Sequence, residues 1–190
     1  YKKRGGNVLW VGHPMIDLTK KLPLKKDART ILNLRSNQNI LLLMPASRPQ
    51  ELRYVLPTFM KAAKKLQQKY PSLVVYIPSC RSSFDEIFKK AFRKYQVKGH
   101  VISQKDSAKL KPYIYSLTKI AFCKSGTVNM ELALYGIPQI VGYRVSRVTA
   151  FIAKKILNFK VRFISPVNLL VNKLIIPEFV QKEFDEKKIF

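Results

Sequence analysis

Short apolar runs alternate with segments of helical spacing along most of the chain, and this alternation constrains its fold more than any other feature. Continuous apolar runs of this length are typical of strands buried on both faces of a parallel sheet. Five runs predict strands, at residues 40–44, 73–78, 100–103, 119–123 and 138–143. The segments between and after them predict helices, at residues 49–70, 82–95, 111–117, 127–135 and 146–158. The order predicts an α/β fold, a doubly wound parallel sheet with right-handed crossovers, which binds ligands at the carboxyl ends of its strands.

The first 39 residues lack this rhythm. "VLWV" (8–11) predicts one further strand, and the polar, irregular segment 18–39 predicts a linker. Pro57 lies inside the predicted helix 49–70, where a proline either kinks a helix or starts a new one. The chain opens without Met, and we expect it to be a fragment of a longer protein.

The net charge of +25 predicts an anionic partner, either a membrane surface or a nucleic acid. Most of the 36 basic residues are Lys, whereas proteins that read nucleic acids favour Arg, and no reader motif occurs. We therefore expect no nucleic acid. No apolar run is long enough to span a membrane, and there is no signal peptide. Cys80 and Cys123 are predicted to be reduced, buried thiols, and the isolated His13 and His100 predict no metal site.

Two segments at carboxyl ends of predicted strands carry small residues directly before a helix. They are "PASRPQE" (45–51) and "KSGTVNME" (124–131). Free N–H groups at a helix start bind phosphate, and Gly126 lets a backbone approach an anion closely. Glu131, one turn further on, could accept hydrogen bonds from a sugar diol. Each feature also has a structural interpretation: a capping turn with nothing bound, a surface Arg48, and a Glu51 that favours the helix dipole. The two commonest nucleotide-binding loops, G-x-G-x-x-G and G-x-x-x-x-G-K-[ST], are absent.

Five motifs, in order and in register, resemble the lipid-A-disaccharide synthase family. They are "VGHPMID" (11–17), "LLLMPASRPQELRYVLPTFMKAA" (41–63), the segment 124–157 beginning "KSGTVNMELALYGIPQIVGYR", "ISPVNLL" (164–170) and "IIPEFVQ" (175–181). The resemblance implies an inverting glycosyltransferase of the two-domain GT-B type. Residues 1–39 are then the end of the first GT-B half with a linker. Residues 40–190 are a Rossmann-like domain that binds a UDP-sugar.

The resemblance also implies the reaction and the site. The family transfers 2,3-diacylglucosamine from its UDP donor to 2,3-diacylglucosamine 1-phosphate, without a cofactor or a metal. Arg48 is expected to contact the diphosphate or the uridine with support from Glu51, and Glu131 to hold the ribose. The implied donor-nucleotide site comprises Ser47, Arg48, Glu51, Ser125, Gly126, Thr127, Glu131 and Asn168. The catalytic base, an acidic residue, is expected in the missing amino-terminal half, so this chain alone should not catalyse transfer.

The lipid substrates imply a peripheral contact with an anionic membrane, at the cytoplasmic face of an inner membrane or in a plastid. Residues 144–163 are basic and apolar by turns, which indicates either a helix packed on the sheet or a membrane-facing helix with Lys154, Lys155 and Arg162 at lipid phosphates. A homodimer is left open. So are two other functions: another UDP-sugar GT-B enzyme (an N-acetylglucosaminyltransferase or an epimerase), or a basic nucleic-acid-binding domain.

The chain departs from the family pattern at two places. Ala46 stands where the family commonly has Gly, and this is strained only if the position needs a positive φ. In Ser165-Pro166-Val167-Asn168 the proline is shifted by one position, which can change how Asn168 approaches a nucleotide.

Overall fold

Six parallel strands form one sheet in the order β3-β2-β1-β4-β5-β6. The computed structural model describes residues 5–9, 11–19, 21–146, 149 and 162–190. The strands are β1 Asn39–Met44, β2 Leu73–Pro78, β3 Gly99–Ile102, β4 Thr118–Lys124, β5 Gln139–Tyr143 and β6 Glu178–Val180. The five predicted strands from residue 40 onward are confirmed within one residue at each end. β6 was missed, because a strand of three half-buried residues carries too short a pattern to read.

Eight helices are described, and those that flank the sheet lie on both of its faces. They are α1 Pro14–Leu18, α2 Lys25–Ile31, α3 Pro49–Lys69, α4 Ser82–Tyr95, α5 Gln104–Leu117, α6 Thr127–Leu134, α7 Pro166–Val171 and α8 Glu186–Ile189. Side chains alternate across a strand, so Leu41 and Leu43 of β1 join the core under α3 and α4, while Ile40 and Leu42 join the core under α5 and α6. The predicted doubly wound parallel sheet is confirmed. No helix among the described residues is long and apolar enough to cross a bilayer.

Helix α3 continues without a break through Pro57, so this proline does not start a new helix. An interior proline costs about 3 kcal/mol. Buried apolar side chains on both sides of it, from Leu52 to Ala63, offset that cost. Helix α5 begins at Gln104, seven residues before its predicted start, because its first two turns are mostly polar, exposed or half-buried, and show no apolar spacing.

The segment before β1 differs from expectation. The strand predicted at 8–11 is wrong for its described residues, because Val8, Leu9 and Val11 are exposed and outside any strand. Within the predicted linker, α2 lies against α5 and buries Ala28 completely in the core. The boundary at residue 39 between two domains stays a prediction.

The two cysteines are both free, but only one is buried. Cys123 lies inside β4, whereas Cys80 follows the carboxyl end of β2 and is exposed. The prediction of two buried thiols is therefore wrong for Cys80, because loops beyond strand ends run over the surface. Nearly all of the helix predicted at 146–158 lies outside the described residues, as do Lys154 and Lys155.

Candidate functional site

The strand order reverses between β1 and β4, and the loops that follow these two strands lie side by side. Met44 at the end of β1 is the register partner of Cys123 in β4. The chain leaves β1 for a helix on one face, and β4 continues to a helix on the other, so a crevice opens between the loops. The two segments selected from the sequence, 45–51 and 124–131, form its walls. That these segments come together is a direct result of the sheet topology.

Glu51 joins the two loops. Its Oε2 accepts hydrogen bonds from the backbone N–H groups of Ser47 (3.1 Å) and Arg48 (3.2 Å). Its Oε1 accepts one from Nζ of Lys124, at 2.8 Å. Partial burial of the carboxylate opposes its ionisation, but these three donors outweigh burial and hold the pKa of Glu51 below its ordinary value. Sequence reasoning found Glu51 but did not place Lys124, because the contact links residues 73 positions apart.

Arg48 and Ser47 are exposed at the start of α3. Arg48 occupies the N-cap position with an extended backbone, and none of the ion pairs in the described part of the chain involves its guanidinium. Ala46 is not among the residues with a positive φ, so the replacement of the family's glycine causes no backbone strain. The guanidinium is therefore free to meet an anion that enters the crevice.

The Ser125-Gly126-Thr127 turn caps α6 and opens toward the crevice. Thr127 and Val128 are the first two helical residues, so their N–H groups have no acceptor within the helix. Thr127 is exposed. The N–H of Gly126 is taken by Oδ1 of Asn129, at 2.9 Å. The backbone of Gly126 is extended, with φ of 164°, so its lack of a side chain matters for space rather than for conformation. Within the described part of the chain, the turn thus presents two amides without an acceptor and the hydroxyl of Thr127, a combination that is suited to binding a phosphate.

A buried polar network that sequence reasoning missed supports this turn from below. The Asn129 side chain is fully buried, and its Nδ2 donates to Oε1 of Gln139 (3.1 Å) and contacts Sγ of Cys123 (3.1 Å). Gln139 returns a hydrogen bond from Nε2 to the carbonyl of Asn129, at 2.9 Å. A glutamine inside an apolar strand was the available signal, since buried amides are retained where they find partners. The network holds α6, β4 and β5 in one arrangement.

Glu131 lies one turn into α6, and its Oε1 is 2.6 Å from Nζ of Lys111 on α5. Burial, together with the neighbouring carboxylate of Glu131, raises the pKa of the phenol of Tyr115, which lies on α5 like Lys111. Glu131 therefore faces α5 rather than the Arg48 loop. A carboxylate has lone pairs for more partners than one ammonium, so the pair with Lys111 leaves acceptor capacity for a diol.

Asn168 lies in α7 and holds the segment that follows this helix. Its side chain is fully buried, with Nδ2 donating to the Ile176 carbonyl (2.8 Å) and to Oε1 of Glu178 (2.7 Å). Its Oδ1 accepts from the N–H groups of Ile175 and Ile176, at 3.0 and 2.9 Å. These four hydrogen bonds use the capacity of the amide. A contact between Asn168 and a nucleotide stays a prediction, and the side chain already has a structural role.

Glu178, which sequence reasoning did not select, holds the segment before α7 to the sheet. Its carboxylate accepts from the N–H groups of Ile164 (2.7 Å) and Ser165 (2.8 Å). The hydroxyl of Ser125 in turn donates to the Ile164 carbonyl. The motifs "KSGT", "ISPVN" and "PEFVQ" are therefore parts of one hydrogen-bonded assembly beside the crevice. Ser125 thus uses its hydroxyl within that assembly, and its contact with a phosphate stays a prediction.

The fold and the crevice first define a class of protein. This strand order, with a crevice between β1 and β4, is that of nucleotide-binding α/β domains. The chain is similar in structure to the Escherichia coli ADP-heptose lipopolysaccharide heptosyltransferase II, with a TM-score of 0.60 and 10% identity, covering 95% of this chain and 50% of that one. The C-terminal CMP-Kdo-binding domain of WaaA from Acinetobacter baumannii gives a TM-score of 0.52 at 11% identity, covering 93% of this chain and 85% of that one. At these identities the likeness concerns the fold alone, which is one half of a GT-B glycosyltransferase.

The chain belongs to the lipid-A-disaccharide synthetase family, whose model matches residues 1–190. It is 49% identical over 183 residues to the lipid-A-disaccharide synthase of Prochlorococcus marinus, covering 96% of this chain and 47% of that protein. It is 36% identical over 189 residues to the synthase of Gloeothece citriformis, covering 100% of this chain and 48% of that protein. The chain thus spans about half the length of the curated relatives it matches. The family resemblance inferred from the five motifs is confirmed.

Proposed function

We propose that this chain is the donor-binding half of a lipid-A-disaccharide synthase. The whole enzyme would transfer 2,3-diacylglucosamine from its UDP donor to 2,3-diacylglucosamine 1-phosphate, releasing UDP and the β-1,6-linked lipid A disaccharide. The observation that carries the proposal is that the loop of Arg48 and the Ser-Gly-Thr turn of α6 adjoin at the switch point of the sheet, where the hydrogen bond from Lys124 to Glu51 joins them. A cation opposite free helix amides is suited to a diphosphate.

The residues of the chain have separate tasks in this proposal. Arg48 and the first amides of α6 bind the diphosphate, and Ser47 and Glu51 hold the Arg48 loop in position. Glu131 accepts hydrogen bonds from the ribose hydroxyls while it keeps its contact with Lys111. A base from the other half removes the proton of the acceptor 6-hydroxyl, whose oxygen attacks the anomeric carbon. The bond to the diphosphate breaks with its electron pair on UDP, whose charge Arg48 and the helix amides stabilise.

Titration of the chain with UDP tests this assignment. We expect saturable binding, and we expect Arg48→Ala to weaken it about 10- to 100-fold, since a charge-assisted hydrogen bond contributes about 1.5–3 kcal/mol. Arg53→Ala, at an exposed arginine of the same helix, is the matched control and should bind as the unaltered chain does. An equal loss in both variants would contradict the role of Arg48. Steeply salt-dependent binding of a DNA duplex without any effect of UDP would instead favour a nucleic-acid-binding domain.

We also propose a peripheral contact with an anionic membrane, at the cytoplasmic face of an inner membrane. Five large apolar side chains are exposed on and after α7, namely Leu169, Leu170, Val171, Leu174 and Ile175. We call them the apolar ledge. The exposed cations Arg162 and Lys173 flank it, and no Asp or Glu occurs between Glu131 and Glu178. Apolar side chains beside uncompensated cations favour an anionic lipid surface.

Co-sedimentation with vesicles tests the membrane contact. We expect binding to vesicles rich in phosphatidylglycerol, weak binding to pure phosphatidylcholine, and a several-fold loss in Leu170→Ser and Leu174→Ser. Leu24→Ser is the control, because Leu24 is as exposed (70%) as Leu170 (71%) but lies before α2. If the ledge variants instead turn a dimer into a monomer and bind vesicles normally, the ledge is an interface between two copies.

A further inference from the structure

Lys124 is the first residue of the motif "KSGT" but was not among the site residues selected from the sequence, and it lies in the wall of the crevice. It is the last residue of β4 and directly precedes the Ser-Gly-Thr turn. Its side chain is 17% exposed and that of its partner Glu51 is 16% exposed, so the ion pair is largely shielded from solvent. Shielded charges interact more strongly with an incoming ion than exposed charges do, because less water screens them.

The hydrogen-bonding capacity of this pair is used unequally. Both oxygens of Glu51 accept hydrogen bonds. The two bonds from backbone N–H groups to Oε2 do not involve Lys124, which donates to Oε1. The Lys124 ammonium has three N–H donors, and within the described residues its hydrogen bond is to Oε1 of Glu51. The ammonium can therefore accept a further anion on its open side without leaving Glu51 uncompensated.

The end of the Lys124 side chain lies next to the glycine of the turn. A Cβ placed on Gly126 would lie 3.6 Å from Cε and 3.9 Å from Nζ of Lys124. The ammonium thus adjoins the point where the free N–H groups of Thr127 and Val128 begin α6. Glycine leaves this space clear, so an anion that binds the amides also comes within reach of Nζ.

The charge of a bound diphosphate favours a second cation beside the Ser-Gly-Thr turn. The diphosphate of a UDP-sugar carries a negative charge on each phosphate, and Arg48 supplies one positive charge. We infer that Lys124 is the second diphosphate-binding cation, which pairs with Glu51 alone in the empty site and with both Glu51 and the donor phosphate in the occupied one. The inference rests on the proposed donor-binding function. Lys124 would also stabilise the charge that develops on UDP as the bond to the sugar breaks, without any proton transfer.

The test compares UDP with uridine, which lacks the phosphates. Both are titrated by calorimetry into the chain and into its Lys124→Met and Lys124→Arg variants. We expect Lys124→Met to weaken UDP binding about 10-fold or more and to leave uridine binding unchanged. We expect Lys124→Arg to keep most of the preference for UDP, because it keeps the charge. The UDP affinity of Lys124→Met should also fall less steeply with salt.

Lys119→Met is the matched control, since Lys119 is an exposed lysine of the same strand near its opposite end. Melting temperatures show which variants are folded, and Lys124→Gln replaces Lys124→Met if the latter does not fold. A neutral variant that loses UDP and uridine affinity in the same proportion makes Lys124 a purely structural residue and overturns the inference. Unchanged affinities for both UDP and uridine overturn it as well. Absence of UDP binding by the unaltered chain overturns the proposed function and this inference together.

Discussion

At the scale of single residues, the crevice depends on two kinds of polar side chain. Some hold loops in place by hydrogen bonds to backbone amides, and others face a ligand. Glu51 binds two loop amides and Lys124. Glu178 likewise binds two backbone amides of the segment after Phe163, and Asn168 binds two of the segment after α7. A motif read from a sequence does not distinguish these two tasks, because both favour amides and carboxylates near strand ends.

Glu51 makes stability depend on pH. Its pKa is lowered in the folded chain, so its contribution is present above the ordinary glutamate pKa of about 4.3 and is lost as the pH falls through the folded value. Glu51→Gln should cost about 1–2 kcal/mol of unfolding free energy at pH 7, and the difference should shrink below about pH 4. Urea unfolding at several pH values measures this.

Glu86→Gln provides the control for that series, because the pair between Glu86 and Lys89 is exposed on α4 and should affect stability little. If the loss of unfolding free energy in Glu51→Gln stays constant between about pH 7 and 3, the hydrogen bonds to Glu51 do not lower the pKa of its carboxyl group in the folded chain.

At the scale of elements, the carboxyl-terminal segment is held to the sheet by close packing. The Phe184 ring is fully buried and packs edge to face with the ring of Phe59 in α3, with 5.1 Å between the two ring centroids. The Arg144 guanidinium lies 5.3 Å from the centroid of the Phe184 ring. Arg144 also donates to the carbonyls of Gln181 and Phe184. Gly142 in β5 leaves the space that the Phe184 ring fills. The region after β6 is therefore part of the domain rather than an appended tail.

Gly142→Ala should destabilise the chain by about 1–3 kcal/mol, because a Cβ there would lie 2.1 Å from Cε2 of Phe184. The double variant Gly142→Ala with Phe184→Leu should lose less than the sum of the two single variants, since the smaller side chain relieves the overlap. Urea unfolding of the four proteins gives the coupling free energy. Strictly additive losses would place the Phe184 ring elsewhere.

At the scale of the whole molecule, β4 lies between β1 and β5, near the middle of the sheet. Cys123 of this strand is fully buried, and burial raises the pKa of its thiol to about 12, an effect that the hydrogen bond from Asn129 opposes only in part. Cys80 is exposed. The two thiols therefore report on different events: Cys80 on the surface of the native chain, and Cys123 on opening of the sheet.

Alkylation followed by mass spectrometry should modify Cys80 within minutes at neutral pH and leave Cys123 unmodified until the chain unfolds. In increasing urea, labelling of Cys123 should follow the global unfolding transition. Labelling of Cys123 well below that transition would mean that β4 opens locally. Cys80→Ser provides a chain in which only the buried thiol can react.

The sequence by itself determined the layered α/β class and the family. Apolar runs such as 40–44 and 73–78 match their strands closely because buried parallel strands must be apolar on both faces. It also determined which loops matter, since both 45–51 and 124–131 follow strands whose carboxyl ends must share one edge of a parallel sheet. Short elements with weak patterns, such as β6 and the first turns of α5, were beyond it.

Only the tertiary structure decided which partner each polar side chain has. It joined Lys124 to Glu51, turned Asn168 inward to Glu178, directed Glu131 to Lys111 and gave Asn129 its buried place beside Gln139. Each of these contacts links residues from different turns or elements. Their pairing depends on the strand order and on how the helices pack on the sheet. The local spacing of apolar residues predicts neither of these.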